Sequence, residues 1–244
     1  MTIAMTTGYF SYHDGDNELE GYLATPRDMS AQQPPRPIVL VVHAWGGQDE
    51  FARAKAHLLA DLGYLGFAID VYGKGKRGKS PEESYELMNP WMENRAALGT
   101  RLLAAVTAAG TIEGGDATRL GAIGFCFGGL CALDLARNNA PGLRAVAAFH
   151  ALFTPPALET QIPIKSKILA LHGYDDPMCK PDAMIAFADE MSRAHADWQV
   201  HAYGATGHAF TNPEAHDHAS GFFYREVIAE RALASMSRFF AEVL

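Results

Sequence analysis

Cys126 is the residue of this sequence best placed for nucleophilic chemistry, because glycines stand two positions before and after it. It lies at the centre of Gly124-Phe125-Cys126-Phe127-Gly128, where a strand-like pattern runs into a helix-like one. This spacing matches a nucleophile elbow, with cysteine in the place of serine. Small flanking residues permit the tight, strained turn that exposes the central side chain. The N-terminus of the following helix would favour a thiolate, and its backbone N–H groups could hold an oxyanion.

A thiol nucleophile needs a base, and the base needs a group that orients it. Asp176 lies in a loop after a strand-like segment, directly before Pro177, and we favour it over Asp175 as the acid. His208 follows the last strand-like segment, behind a glycine-containing turn. Taken singly, a loop Asp or His is most often a surface or capping residue, and a free cysteine is most often a small buried apolar residue. Three loops in the order nucleophile, acid, histidine favour a triad instead.

Alternating strand and helix patterns must position these loops. Strand patterns occupy residues 8–13, 19–24, 37–43, 64–70, 120–125, 145–149, 167–172 and 199–203. Helix patterns occupy residues 51–62, 82–109, a segment beginning near 127, residues 181–196, and the stretch after 220 through to 243. The first two strands suit an antiparallel hairpin, and the rest predict an α/β fold, a mostly parallel sheet with helices on both faces. Ligands then belong at the carboxyl ends of the strands.

Composition and charge narrow the class of protein. The chain has 244 residues, 48% of them hydrophobic and 20% charged, which is typical of a folded chain and excludes a disordered one. A net charge of -8 argues against a general binder of nucleic acid or of an anionic membrane. Three cysteines do not suggest a disulfide framework, and no apolar run approaches the roughly 20 residues of a membrane helix. Residues 1–10 lack the features of a signal peptide. We expect a cytoplasmic protein, a monomer or small homo-oligomer, with one domain over residues 1–244.

The sequence resembles the dienelactone hydrolase family, a branch of the α/β-hydrolases without a large cap domain. The resemblance covers most of the chain and rests on residues 43–47, 70–72, 124–129, 173–177 and 207–210. It implies an α/β-hydrolase fold and a small-molecule ester or lactone substrate, with no cofactor and no metal.

The same resemblance implies roles for individual residues. Cys126 would attack the ester or lactone carbonyl, His208 would relay protons, and Asp176 would hold the imidazole tautomer. The N–H of Phe127 and one from the Ala44–Trp45 turn would form the oxyanion hole. Loss of one such donor is expected to slow a reaction by about 10²–10³-fold.

The chain departs from the family pattern where the family contacts its substrate or tunes its thiol. Ala44 stands where typical bacterial members carry Glu, and Lys74 and Asn212 stand where the family binds a substrate carboxylate with arginines. Neither offers the bidentate fork of Arg. We therefore predict a weaker demand for an anionic substrate, or a different ester. Trp45 and Tyr72, at strand ends, are predicted to line the substrate pocket.

Three other interpretations compete with a hydrolase. Residues 73–80 match a P-loop pattern, but Pro81 after Ser80 favours a helix N-cap there and a solvated basic loop rather than a nucleotide site. His216-Asp217-His218 is weak evidence for a metal site, because no further ligand clusters with it. A non-catalytic binding protein on the same fold is the third alternative, raised by the missing Glu at Ala44.

Overall fold

A computed structural model describes residues 7–29, 33–157 and 163–244 of the chain. Its strands are β1 (Gly8–Asp14), β2 (Asn17–Ala24), β3 (Arg36–Val42), β4 (Leu65–Ile69), β5 (Gly115–Phe125), β6 (Leu143–Phe149), β7 (Lys167–Gly173), β8 (Trp198–Tyr203), β9 (His216–Asp217) and β10 (Phe222–Phe223). Its helices are α1 (Glu50–Asp61), α2 (Pro81–Glu93), α3 (Arg95–Ala109), α4 (Phe127–Arg137), α5 (Pro181–Arg193) and α6 (Glu226–Val243). Residues 1–6, part of the segment predicted to lack a signal peptide, lie outside the described residues.

Eight strands form one sheet in the order β1-β2-β4-β3-β5-β6-β7-β8. Strands β3 to β8 run parallel, while the β1–β2 hairpin joins the edge antiparallel to β4. The central strands are apolar on both faces because helices cover both sides of the sheet. The predicted α/β class, the hairpin and the parallel order are confirmed.

Two apolar cores lie on the two faces of the sheet. Helices α3, α4 and α5 contribute to one core, and helices α1 and α6 contribute to the other. Within the described parts of the chain, no helix is long and apolar enough to cross a membrane.

The helix predicted over residues 82–109 is two helices. Asn94 ends α2 with φ -122° and ψ 76°, and its side chain then accepts the Ala97 N–H at 3.0 Å as the N-cap of α3. Pro90 cannot donate a backbone hydrogen bond, which weakens the ladder just before this break. The prediction of one continuous helix is wrong for this reason.

The predicted final helix also begins later than its pattern indicated. Residues after 220 first form the short strand β10, which pairs with β9, and α6 starts only at Glu226. His208 makes an isolated bridge to Phe222 of β10. A short two-stranded ribbon therefore braces the histidine loop at the carboxyl edge of the sheet.

Candidate active site

Cys126 sits in a strained turn between β5 and α4. Its backbone has φ 55° and ψ -117°, a region that non-glycine residues rarely adopt. A Cβ on Gly124 would overlap the Gly128 carbonyl, and one on Gly128 would overlap the Val42 carbonyl. The two glycines are therefore required by close backbone approach, as the elbow pattern predicted. Strain of this kind persists at sites where the surrounding structure enforces it.

Asp176 and His208 form a buried hydrogen-bonded pair. His208 Nδ1 and Asp176 Oδ2 lie 2.7 Å apart, and both side chains are buried. Asp176 Oδ1 also accepts the Met178 N–H at 2.8 Å, which fixes the carboxylate. The backbone N–H of His208 donates to the Gly221 carbonyl at 2.8 Å, which holds the histidine loop. The ring is thus oriented with Nε2 directed away from the acid.

The charge state of His208 follows from its neighbours. Burial disfavours the charged imidazole, but the electrostatic effect of ionised Cys126 and the hydrogen bond that His208 donates to the Asp176 carboxylate outweigh it and raise the pKa of His208 to about 10. Nε2 is buried, and no hydrogen-bond acceptor meets it in the described part of the chain. Of the two ring nitrogens, Nε2 is therefore the one that can serve Cys126 or a group bound beside it.

The loop after β3 is held in place by hydrogen bonds that its carbonyl groups accept. The Ala44 carbonyl accepts from His43 Nδ1 at 2.6 Å, and the Trp45 carbonyl accepts from the Tyr72 hydroxyl at 2.8 Å. Because the Val71 N–H donates to His43 Nε2 at 3.2 Å, the His43 proton is on Nδ1. In a trans peptide the N–H points opposite to the carbonyl. The Trp45 N–H is thus directed away from His43, and it is available to a ligand.

The Phe127 N–H is the second candidate oxyanion donor. Phe127 is the first residue of α4, and the first N–H groups of a helix have no acceptor within the helix. The adjacent Cys126 carbonyl accepts from Gly129 and Leu130, which completes the first turn. The helix dipole adds partial positive charge at this point.

A cavity of about 350 Å³ opens above Cys126 and His208. Of the predicted site residues, Ala44, Trp45 and Asn212 also line it. Asp176 lies behind His208, where an orienting acid belongs. The structure therefore brings Cys126, His208 and Asp176 together with the loop after β3.

Tyr72 and Lys74 are predicted substrate contacts that the structure does not bring into the cavity. Tyr72 is buried beneath the loop after β3, where its hydroxyl holds the Trp45 carbonyl. Lys74 is exposed, and its ammonium pairs with Glu18 at 2.7 Å. The β1–β2 hairpin supplies that carboxylate, and a partner from so distant a segment gives no local sequence signal.

Residues from several elements line the cavity without having been predicted. They are Gly46, Asp49, Phe51, Tyr85, Met88, Phe125, His150, Leu152, Met178, Ala209 and Phe222. His150 is notable, because it directly follows β6 with φ 36° and its ring lies 4.9 Å from that of His208. Burial lowers the pKa of His150 well below the usual value, so it is neutral. The one sequence feature that pointed to His150 as a site residue is its position directly after a strand.

The loop over residues 73–80 packs against the chain itself. Ser80 caps α2 by accepting the Glu83 N–H at 3.2 Å, and Pro81 takes the first helical position, as predicted. Arg77 donates to the Gln48 side chain at 2.6 Å and to its carbonyl. The prediction of a solvated basic loop is therefore met only in part, because this guanidinium is engaged.

No metal centre is evident in the ranges that the structure describes. Among them, no group of three or more His, Cys, Asp or Glu side chains is arranged to hold an ion. His216 and Asp217 form the exposed strand β9, and Asp217 accepts the Ser220 N–H at 3.0 Å.

Comparison with known proteins identifies the family. The model of the dienelactone hydrolase family matches residues 19–244. This chain belongs to the dienelactone hydrolase family. A solved structure named m3DLH is 34% identical, covers 99% of this chain and 100% of its own, and superposes with a TM-score of 0.89. The structure of a dienelactone hydrolase-like promiscuous phosphotriesterase from metagenomic libraries is 32% identical, with 99% of each chain covered and a TM-score of 0.87.

A protein from Yersinia pestis named "Putative carboxymethylenebutenolidase" is 29% identical over 205 residues, which are 80% of this chain and 74% of that protein. These matches show an α/β-hydrolase fold without a large cap, as the sequence predicted. The chain is a dienelactone hydrolase-like hydrolase.

Proposed function

We propose that this hydrolase cleaves a small ester or lactone through a Cys126–His208–Asp176 triad. The observation that carries the proposal is the buried 2.7 Å contact between His208 Nδ1 and Asp176 Oδ2, with His208 and Cys126 lining one cavity. A base oriented by an acid beside a nucleophile is the arrangement that acyl transfer requires.

In the acylation half-reaction, the Cys126 thiolate attacks the carbonyl carbon and a C–S bond forms. The electron pair of the carbonyl moves to its oxygen, and the Trp45 and Phe127 N–H groups stabilise this oxyanion. When the tetrahedral intermediate collapses, the C–O bond of the ester breaks, and the His208 Nε2 proton goes to the departing alkoxide. The products of this half are an alcohol and a thioester on Cys126.

In the deacylation half-reaction, neutral His208 takes a proton from water. The hydroxide attacks the thioester carbon, and the C–S bond breaks with its electron pair on sulfur. The carboxylic acid leaves, and the thiolate and imidazolium are restored. Asp176 holds the tautomer in both halves and stays ionised.

Phosphotriester cleavage is a second candidate function. It is supported by the 32% identical relative, which is a promiscuous phosphotriesterase. Here the same thiolate would attack phosphorus and expel an aryloxide. A cavity with few charged side chains suits such a neutral substrate.

The test is detection of the covalent intermediate. The chain is mixed with 4-nitrophenyl acetate, and separately with an aryl dialkyl phosphate, and quenched in acid. With the acetate we expect release of 4-nitrophenol and one acetyl group on the Cys126 peptide by mass spectrometry. With the phosphate we expect release of the phenol and one dialkylphosphoryl group on the same peptide.

The matched control is the buried Cys131, five residues along α4. Cys131→Ala should still be acylated, and Cys126→Ala should not. Turnover without acylation at Cys126 would refute the proposal, and absence of turnover with every ester would favour a binding protein.

A further inference from the structure

We propose that the cavity selects neutral and cationic esters over esters that carry a carboxylate, and that Asp49 is the residue that sets this selectivity. The inference rests on the proposed ester hydrolysis and assigns its substrate class. It gives a role to a residue that neither the triad nor the oxyanion hole uses.

The side chains around the cavity carry little charge. Apart from the Cys126–His208 pair, the lining residue with a formal charge is Asp49, and neutral His150 adds none. The others are apolar or uncharged, and Trp45, Tyr85 and Met178 expose apolar surface at the mouth. A substrate carboxylate would therefore meet one anion and no cation among the described lining residues.

Hydrogen bonding holds Asp49 in a fixed place next to the loop after β3. It is the N-cap of α1, and its Oδ1 accepts the Ala52 N–H at 3.0 Å. Its Oδ2 lies beside Gly46, which also lines the cavity. In the parts of the chain that the structure describes, no Lys or Arg forms an ion pair with it. The carboxylate is thus ordered through one oxygen, and no cationic side chain of the described residues is paired with it.

The cationic side chains near Asp49 have other contacts and do not line the cavity. Arg53 and Arg77 both donate to Gln48, and neither lines the cavity. Lys55 lies over two rings that line the cavity, 4.6 Å from the centroid of Phe51 and 5.8 Å from that of Phe125. Lys55 does not line the cavity, whereas Asp49 does.

Repulsion in such a site is large enough to decide between substrates. Two like charges several ångströms apart in a partly apolar cavity change kcat/KM by about tenfold. Electrostatic selection of this kind works by rejecting the wrong substrate as much as by holding the right one. A cation of the same shape would gain by a similar factor.

The experiment uses three aryl esters with the same leaving group, whose acyl chains end in a methyl, a carboxylate or a trimethylammonium group. Their kcat/KM values are measured for the wild type and for Asp49→Asn, because Asn keeps the helix N-cap. We expect the wild type to favour the neutral and cationic esters. In Asp49→Asn the anionic-to-neutral ratio should rise about tenfold and the cationic-to-neutral ratio should fall by a similar factor.

Glu50→Gln is the matched control. Glu50 is the next residue of the same turn, it is 83% exposed and pairs with Arg53, and it does not line the cavity. This variant removes the same charge from nearly the same place, and both ratios should stay at their wild-type values.

Three results would overturn the inference while leaving ester hydrolysis standing. They are a wild-type preference for the carboxylate ester, ratios that do not move in Asp49→Asn, and an equal shift in Glu50→Gln. If the wild type cleaves none of the three esters, the proposed function fails and this inference falls with it.

Discussion

Two clusters of ionisable side chains are largely buried in the described parts of the molecule, and they differ in whether they border a cavity. The cavity cluster comprises Cys126, Asp176 and His208. The helix cluster comprises Arg95, Asp134, Arg137 and Glu190. Both hold ionic groups away from water, which is costly unless each group finds partners.

The helix cluster has its partners. Arg137 binds both oxygens of Glu190 at 2.8 and 2.7 Å and also reaches Asp134 at 3.1 Å. Arg95 adds contacts to Asp134 at 2.6 and 2.7 Å. These bonds tie α3, α4 and α5 together. The helix cluster stabilises the packing of three helices, and its charged groups bind one another rather than a ligand.

The cavity cluster is incomplete by comparison. Cys126 has a strained backbone, and His208 Nε2 is buried without an acceptor in the described chain. Strain and an unused donor both cost stability, and both are available to a reacting group. Complete pairing gives the helix cluster a structural role, and incomplete pairing beside a cavity supports the chemical role proposed for the cavity cluster.

The largest effect is expected on activity at the cavity cluster. Cys126→Ala should lower kcat for a neutral aryl ester by at least about 10³-fold, because the covalent route is lost. Its unfolding free energy should stay close to that of the wild type, because the side chain is small. Steady-state kinetics and urea denaturation measure both. A large loss of stability with activity retained would reverse the roles assigned to the clusters.

The next effect is expected on stability at the helix cluster. Arg137→Met leaves Glu190 unpaired and should cost about 3–5 kcal/mol of unfolding free energy. Urea denaturation gives the change, and kcat per folded molecule should remain near wild type. A loss of kcat without a loss of stability would place the helix cluster in the reaction.

The titration of His208 gives a third test. Since the folded-state pKa of about 10 lies above that of a free histidine, protonation favours the folded state, and this contribution is lost as the pH rises through 10. Cys126→Ala removes the electrostatic contribution of Cys126, so burial should bring the pKa of His208 down. Imidazole ¹⁵N chemical shifts followed against pH measure it. An unchanged pKa would show that Cys126 does not act on His208.

The smallest effect is expected at Tyr72, which holds the oxyanion loop from outside the cavity. Tyr72→Phe removes the 2.8 Å bond to the Trp45 carbonyl. It should lower kcat about 3–10-fold with KM nearly unchanged, because one hydrogen bond contributes about 1 kcal/mol. Steady-state kinetics on a neutral ester measure the changes in kcat and KM separately. A rise in KM alone would make Tyr72 a substrate contact, as its sequence position first indicated.

Much of the framework could be predicted from the sequence. Residues that alternate or run apolar over five or six positions marked the strands, since that periodicity is a local property. Two boundaries differ from the predicted ones, the first because of local helix capping and the second because of strand pairing. Asn94 splits one predicted helix in two, and the pairing of β9 with β10 delays the start of α6.

The local amino-acid pattern was enough to predict the candidate reactive residues and the turn that presents Cys126. The elbow around Cys126 depends on glycines two residues away, and the strand ends of Asp176 and His208 follow from periodicity. Which side chains share a cavity depends on the tertiary structure. Asp49 enters it, while Lys74 is bound by Glu18 instead. Side-chain partners far apart in sequence are set by strand order and loop packing, and local pattern contains no information about either.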